Sequence, residues 1–135
     1  MPDLLVNLLK LPALENASQE FLVRRAQPFE LSLVRSFVAE NFSPNWADEI
    51  AIGFAAYECT RRGFFGPMGV LDNAQHKGAG KALLFAALEA LREMGYVYAI
   101  IGAAGPVRFY QKTVGAIVIP DSEPGIYTDL LKTRQ

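Results

Sequence analysis

The chain has 135 residues, of which 51% are hydrophobic and 20% charged, and its formal net charge at pH 7 is −1. This composition excludes a disordered chain and indicates a globular one, long enough to bury well over half of its unfolded surface. The 13 basic residues form no run longer than a pair, which argues against a nucleic-acid-binding surface. We expect one domain over residues 1–135, in which residues 1–20 are an amino-terminal extension packed on the body.

The chain contains a single cysteine, Cys59, and a single histidine, His76. One cysteine cannot form an intrachain disulfide, and one histidine with one cysteine matches no standard metal-binding pattern, so we expect no metal. The amino terminus lacks the basic region of a signal peptide. The apolar residues 4–11 are too few to span a bilayer. These features predict a cytoplasmic protein without membrane or nucleic-acid partners.

Hydrophobic patterning predicts the elements of the first third of the chain. Residues 4–9 indicate a strand or a short helix docked on the body, and residues 21–25 are interpreted as the first strand of the core. Apolar residues at helical spacing predict a helix over residues 30–41. A serine followed by a proline is a helix-start signal, which places a further helix at residues 43–49.

Strands and helices alternate in the rest of the chain. β-Branched and aromatic runs bounded by turn residues predict strands over residues 50–60, 64–71 and 96–102. A long amphipathic helix is expected over residues 80–94, and a short helix over residues 107–113 precedes a last short strand. The pattern indicates an α/β fold of the mixed α+β kind, with helices flanking one sheet.

The segment between the strand at 64–71 and the long helix reads Gln75-His76-Lys77-Gly78-Ala79-Gly80-Lys81. A strand, a glycine-rich turn and a helix in this order direct backbone N–H groups and the positive end of the helix dipole to one point, which favours phosphate binding. A Walker loop does not fit, because Gln75 and Ala82 occupy two of its required positions. A dinucleotide fingerprint fails at Leu83, where it needs glycine.

The spacing Gln-x-x-Gly-x-Gly in this loop resembles the acyl-CoA pyrophosphate loop of the GNAT N-acetyltransferase superfamily. Three further phrases look like an uncharacterised bacterial-type branch of it: Gly63-Phe64-Phe65-Gly66-Pro67, Ala99-Ile100-Ile101-Gly102 and Glu123-Pro124-Gly125-Ile126-Tyr127. A second resemblance follows at Phe109-Tyr110-Gln111-Lys112 and Gly115, which are similar to the signature Phe-Tyr-x-Lys-x-Gly-Phe. One residue is inserted before Gly115, and Ala116 replaces the usual aromatic residue. The resemblance extends from residue 53 to about residue 119.

The resemblance implies a central, mostly antiparallel mixed sheet flanked by helices, and acetyl-CoA as cosubstrate. It also implies transfer of an acyl group to a primary amine of a small molecule, peptide or protein. Two parallel strands are expected to diverge so that the pantetheine arm can enter. The residues expected to bind acetyl-CoA are Met68, Gly69 and Val70 along the arm, and Gln75, His76, Lys77, Gly78, Ala79, Gly80 and Lys81 at the pyrophosphate.

The resemblance also suggests residues for proton transfer. Tyr110 is the expected acid for the departing thiolate; the alternative is a packed tyrosine with a hydroxyl bonded to backbone. Glu58 is the expected base, acting through water, and the alternative is a carboxylate that only faces solvent or pairs with arginine. Asp48, Glu49 and Glu123 are further candidates.

One early strand of the superfamily pattern is missing from the sequence. Three antiparallel strands are usual before the glycine loop, whereas residues 46–71 accommodate two. A lost strand leaves a sheet edge that another segment or a second chain usually covers, so we expect either residues 4–9 or a homodimer partner there. The alternative function is a non-catalytic acyl-CoA-binding or interaction module, but the presence of Tyr110 favours the enzyme.

Overall fold

A computed structural model describes residues 1–13, 22–39, 53–71 and 78–127 of the chain. These residues form a five-stranded sheet and three α-helices, which confirms the expected α/β class. The strands are β1 (Leu4–Asn7), β2 (Gly53–Tyr57), β3 (Phe64–Val70), β4 (Tyr98–Ile101) and β5 (Ile117–Val118), and the helices are α1 (Leu31–Ala39), α2 (Ala79–Glu93) and α3 (Val107–Val114). The helices predicted at 30–41, 80–94 and 107–113 correspond to α1, α2 and α3.

The strand order is β2-β3-β4-β1-β5. The pairing of β3 with β4 is parallel, whereas the other pairings are antiparallel. The amino-terminal strand lies inside the sheet, because Leu4 pairs with Ile101 of β4 on one side and with Val118 of β5 on the other. The expectation that residues 4–9 cover the edge left by a missing early strand is therefore wrong, since that edge is β2.

The predicted strand at residues 21–25 is also wrong for its described part, residues 22–25, which form no strand. Both terminal nitrogens of Arg24 donate hydrogen bonds to the carboxylate of Glu30, at 2.7 and 2.8 Å. This contact holds the segment against the 3-10 turn Pro28–Glu30, which leads directly into α1. The helix expected at 43–49 lies outside the described residues.

The strand predicted at 50–60 is shorter in the structure. Its described part ends at Tyr57, because Glu58 adopts a left-handed conformation with φ 63° and starts the turn to β3. Residues 50–52 lie outside the described part of the chain. Residues 53–71 thus contain two strands, as the sequence indicated.

The core lies between one face of the sheet and helix α2. Apolar residues at helical spacing line the buried face of α2, and in β1 and β4 buried residues alternate with more exposed ones, as the two-residue period of a strand requires. Each fully buried leucine stabilises the fold by about 1.5–3 kcal/mol relative to exposure. The largest fully buried side chains are those of Leu4, Val6, Leu8, Leu84, Phe85, Leu88 and Leu91. This packing fixes α2 beneath β2 and β3, with its amino terminus near the carboxyl end of β3.

Candidate active site

The two parallel strands diverge, as the sequence predicted. The ladder between β3 and β4 consists of the pairs Phe64 with Ile100 and Phe65 with Ile101. Strand β4 ends at Ile101, and the chain turns away towards α3, whereas β3 continues to Val70. On its other side, β3 remains paired with β2 along its length.

A cleft of about 750 Å³ opens where these strands diverge. Its walls are the middle of β3, the loop from β4 to α3, the buried face of α3, the β2–β3 turn and a late loop. Most of the lining is apolar or backbone, and none of the lining side chains is acidic. The lining residues are Thr60, Arg61, Phe65, Gly66, Pro67, Met68, Ile101, Gly102, Ala103, Ala104, Gly105, Pro106, Tyr110 and Tyr127.

Tyr110 is a buried residue of this cleft. Its ring meets Phe65 edge-on, with centroids 6.2 Å apart, and Phe109 in the same manner at 5.2 Å. The described residues form no hydrogen bond with its hydroxyl. Since every fully buried side-chain oxygen among them has a partner, the Tyr110 hydroxyl is not fully buried and faces the cleft that it lines. Burial raises the pKa of Tyr110, because the phenolate is poorly solvated there. The hydroxyl therefore keeps its proton at neutral pH and can donate it.

Helix α2 begins beside the cleft-side residues of β3. Gly78 caps the helix in the left-handed conformation, with φ 90°, and a Cβ built on it has no heavy atom within 4 Å. A Cβ built on Gly80 lies 3.8 Å from Val70 Cγ2 and 3.9 Å from Met68 Cε. Because the first N–H groups of a helix have no partner within it, this end of α2 presents free donors next to β3.

The predicted acetyl-CoA-binding residues are thus placed in part. Met68 lines the cleft, and Gly69 and Val70 continue β3 beyond it. Ala79, Gly80 and Lys81 form the first turn of α2 after Gly78. The other three predicted residues, Gln75, His76 and Lys77, lie outside the described part of the chain.

Glu58 is not brought to the cleft. Its carboxylate accepts a hydrogen bond from the backbone N–H of Gly63, and its own N–H donates to the carbonyl of Phe64 at 2.9 Å. A hydrogen bond to Glu58 also raises the pKa of Tyr96. These contacts hold Glu58 in the turn between β2 and β3, as a residue that closes the turn. Of the other candidate bases, Glu123 contacts the amino-terminal amine, and residues 48 and 49 lie outside the described chain.

Sequence analysis missed Asp3, which fixes one wall of the cleft. This buried carboxylate accepts hydrogen bonds from the N–H groups of Ala103, at 2.8 Å, and Ile126, at 3.2 Å. The backbone N–H of Asp3 donates to the hydroxyl of Ser122 at 2.9 Å. The loop after β4 and the late loop are thereby tied to the start of β1. In the sequence, Asp3 is recognisable only as an acidic residue next to an apolar strand, and this pattern is too common to indicate a site.

Tyr127 closes the same wall and was also missed as a site residue. Its hydroxyl is 2.7 Å from the Thr60 hydroxyl, which links the late loop to the β2–β3 turn. Its ring packs on Gly102, where a Cβ would lie 2.7 Å from Tyr127 Cε2. Any side chain at residue 102 would therefore displace the ring. Within residues 123–127, only Glu123 was assigned a candidate role from the sequence.

The candidate site thus consists of the diverging parallel strands, the glycine-capped helix beside them and a tyrosine in the gap. The family model of the acetyltransferase (GNAT) family matches residues 11–116, so the chain belongs to this family. Members in general use acetyl-CoA and an acceptor. A search of curated proteins found no match. Within the described ranges, no helix is long and apolar enough to cross a membrane, and no cluster of three metal-ligating side chains occurs.

Proposed function

We propose that this chain is an N-acetyltransferase that moves the acetyl group of acetyl-CoA to a primary amine of a small molecule, peptide or protein. One observation supports the proposal most strongly: Met68 lines the cleft that contains the buried Tyr110, and its Cε lies 3.9 Å from a Cβ built on Gly80 at the start of α2. A helix end that favours phosphate and a proton donor, both near the same strand, suit an extended thioester cosubstrate.

The pyrophosphate is assigned to the start of α2. The space around Gly78 leaves room for an anion, and the free N–H groups and dipole of the helix favour one there. Residues 75–77 complete this loop in our proposal, and Lys77 or Lys81 adds positive charge. Met68, Gly69 and Val70 run beside the pantetheine arm and offer backbone groups to its amides.

In the proposed reaction, the amine nitrogen forms a bond to the thioester carbonyl carbon and the carbon–sulfur bond breaks. Tyr110 donates its proton to the departing sulfur, and the aromatic contacts with Phe65 and Phe109 hold its ring in position. Because the described lining contains no carboxylate, the amine transfers its proton to water in the cleft, and water returns a proton to the Tyr110 phenolate. The sequence prediction of Glu58 as base requires it to act through such a water.

Calorimetry with acetyl-CoA, followed by free-thiol detection with a panel of primary amines, tests the proposal. We expect acetyl-CoA to bind with one site per chain, and at least one amine to release thiol in proportion to the N-acetyl product. Binding without thiol release from any amine would favour the acyl-CoA-binding module instead. An absence of binding would contradict both functions.

A further inference from the structure

Arg61 places a positive charge on the wall of the cleft. It lies in the turn between β2 and β3, and its guanidinium carbon is 5.9 Å from the ring centroid of Phe64 and 5.4 Å from that of Tyr127. None of the ion pairs among the described residues involves Arg61. Among the described residues, Arg61 thus contacts two aromatic rings and forms no ion pair.

Two aromatic rings flank this guanidinium at the exposed wall of the cleft. Phe64 belongs to β3, and Tyr127 is held by its hydrogen bond to Thr60 and by its contact with Gly102. Contacts with ring faces leave the N–H donors of a guanidinium for another partner, and its flat fork matches the two oxygens of a carboxylate. A cation ordered before binding loses less conformational entropy when its ligand arrives.

We propose that Arg61 binds a carboxylate on the acceptor, so that the preferred acceptors are amines that also carry a carboxylate, such as amino acids. This inference rests on the proposed acetyl transfer. The apolar remainder of the cleft offers no other charged side chain for an anionic acceptor among the described residues. The competing source of negative charge is acetyl-CoA itself, and the test separates the two.

The first measurement is binding, which needs no turnover. N-acetylglycine and N-acetylglycinamide differ only in the carboxylate, and each is titrated by NMR into the protein with coenzyme A present. We expect the acid to bind at least about tenfold more tightly than the amide to the wild type, and equally weakly to Arg61→Gln. Arg62→Gln is the matched control, because it removes the same charge from the same turn outside the cleft lining; it should keep the preference.

The second measurement is the ratio of kcat/KM for glycine to kcat/KM for glycinamide. This ratio is compared between the wild type and Arg61→Gln, because the different intrinsic reactivity of the two amines cancels in that comparison. We expect the ratio to fall about tenfold in Arg61→Gln and to stay unchanged in Arg62→Gln. An unchanged ratio, no preference for the acid in binding, or a loss of acetyl-CoA affinity in Arg61→Gln would overturn the inference. A binding preference without any acetyl transfer would instead contradict the proposed function and leave the carboxylate site standing.

Discussion

At the scale of single residues, the environment of Tyr110 determines what its hydroxyl can do. Burial among aromatic rings raises its pKa, and no described residue competes for its proton by hydrogen bonding. A phenol that stays protonated at neutral pH and faces a cleft can serve as an acid for a leaving thiolate. The alternative from sequence, a hydroxyl bonded to backbone, has no support among the described contacts.

Tyr110→Phe should therefore keep acetyl-CoA affinity and thermal stability while turnover falls by about 10²–10⁴-fold, the usual contribution of a positioned general acid. The removed hydroxyl makes no described protein contact, so the core around Phe65 and Phe109 stays packed. Steady-state rates, calorimetry and a thermal melt of the same variant check this. Wild-type turnover in the variant would show that another group protonates the thiolate.

The contacts of Glu58 indicate a structural role in the β2–β3 turn rather than a catalytic one. Glu58→Gln keeps one acceptor oxygen for the N–H of Gly63 but removes the charge from that hydrogen bond. We expect a loss of about 1 kcal/mol in the free energy of unfolding and nearly unchanged turnover. Denaturant unfolding and steady-state kinetics of this variant test both parts. A large fall in turnover at unchanged stability would restore Glu58 as the base.

These residues show which parts of a site are readable from sequence. Tyr110 and Gly78 were predicted because each belongs to a short motif whose spacing is set by local chain geometry. Asp3, Arg61 and Tyr127 were not predicted as site residues, because long-range contacts bring them to the cleft. Asp3 and Ile126, for example, are 123 residues apart in the chain but hydrogen-bonded.

At the scale of elements, the start of α2 determines where an anion can bind. Gly78 and Gly95 stand at opposite ends of the helix, both with positive φ and both with open space where a Cβ would be. They therefore carry the same backbone constraint, and only Gly78 lies at the proposed pyrophosphate site. A substitution at Gly95 is therefore a matched control for the same substitution at Gly78.

Gly78→Val and Gly95→Val should each lower the free energy of unfolding by about 1–2 kcal/mol, since a left-handed conformation is strained for residues with a Cβ. Only Gly78→Val should also weaken acetyl-CoA binding, by about tenfold or more, because its side chain would occupy the anion position. Calorimetry and thermal melts of both variants test this. Equal affinities in the two variants would contradict the pyrophosphate assignment.

The elements were predicted well where local patterning determines them. Helix α2 and strand β3 followed from periodicity and boundary glycines, and the structure confirms both within one residue or two. Strand β1 could be recognised as apolar, but its place between β4 and β5 depends on pairing partners about a hundred residues away. Residues 22–25 looked like a strand, yet the contact of Arg24 with Glu30 holds them in another conformation.

At the scale of the whole molecule, one sheet edge determines the expected assembly. Strand β2 stands at one end of the described strand order, whereas β1 lies inside the sheet between β4 and β5. Residues 4–9 therefore do not cover the edge that a lost early strand would leave next to β2. The homodimer, the other alternative predicted from sequence, stays a prediction.

Light scattering over a range of concentrations should give twice the chain mass. A single-chain mass for the wild type at all concentrations would contradict the dimer.

Amide hydrogen exchange with and without acetyl-CoA shows whether the cosubstrate occupies the gap between β3 and β4. We expect slower exchange on binding in residues 66–70, 78–81 and 102–106, which surround the gap, and unchanged exchange in β5, at the far edge of the sheet. Protection confined to β5, or no protection at saturating acetyl-CoA, would contradict binding in this gap.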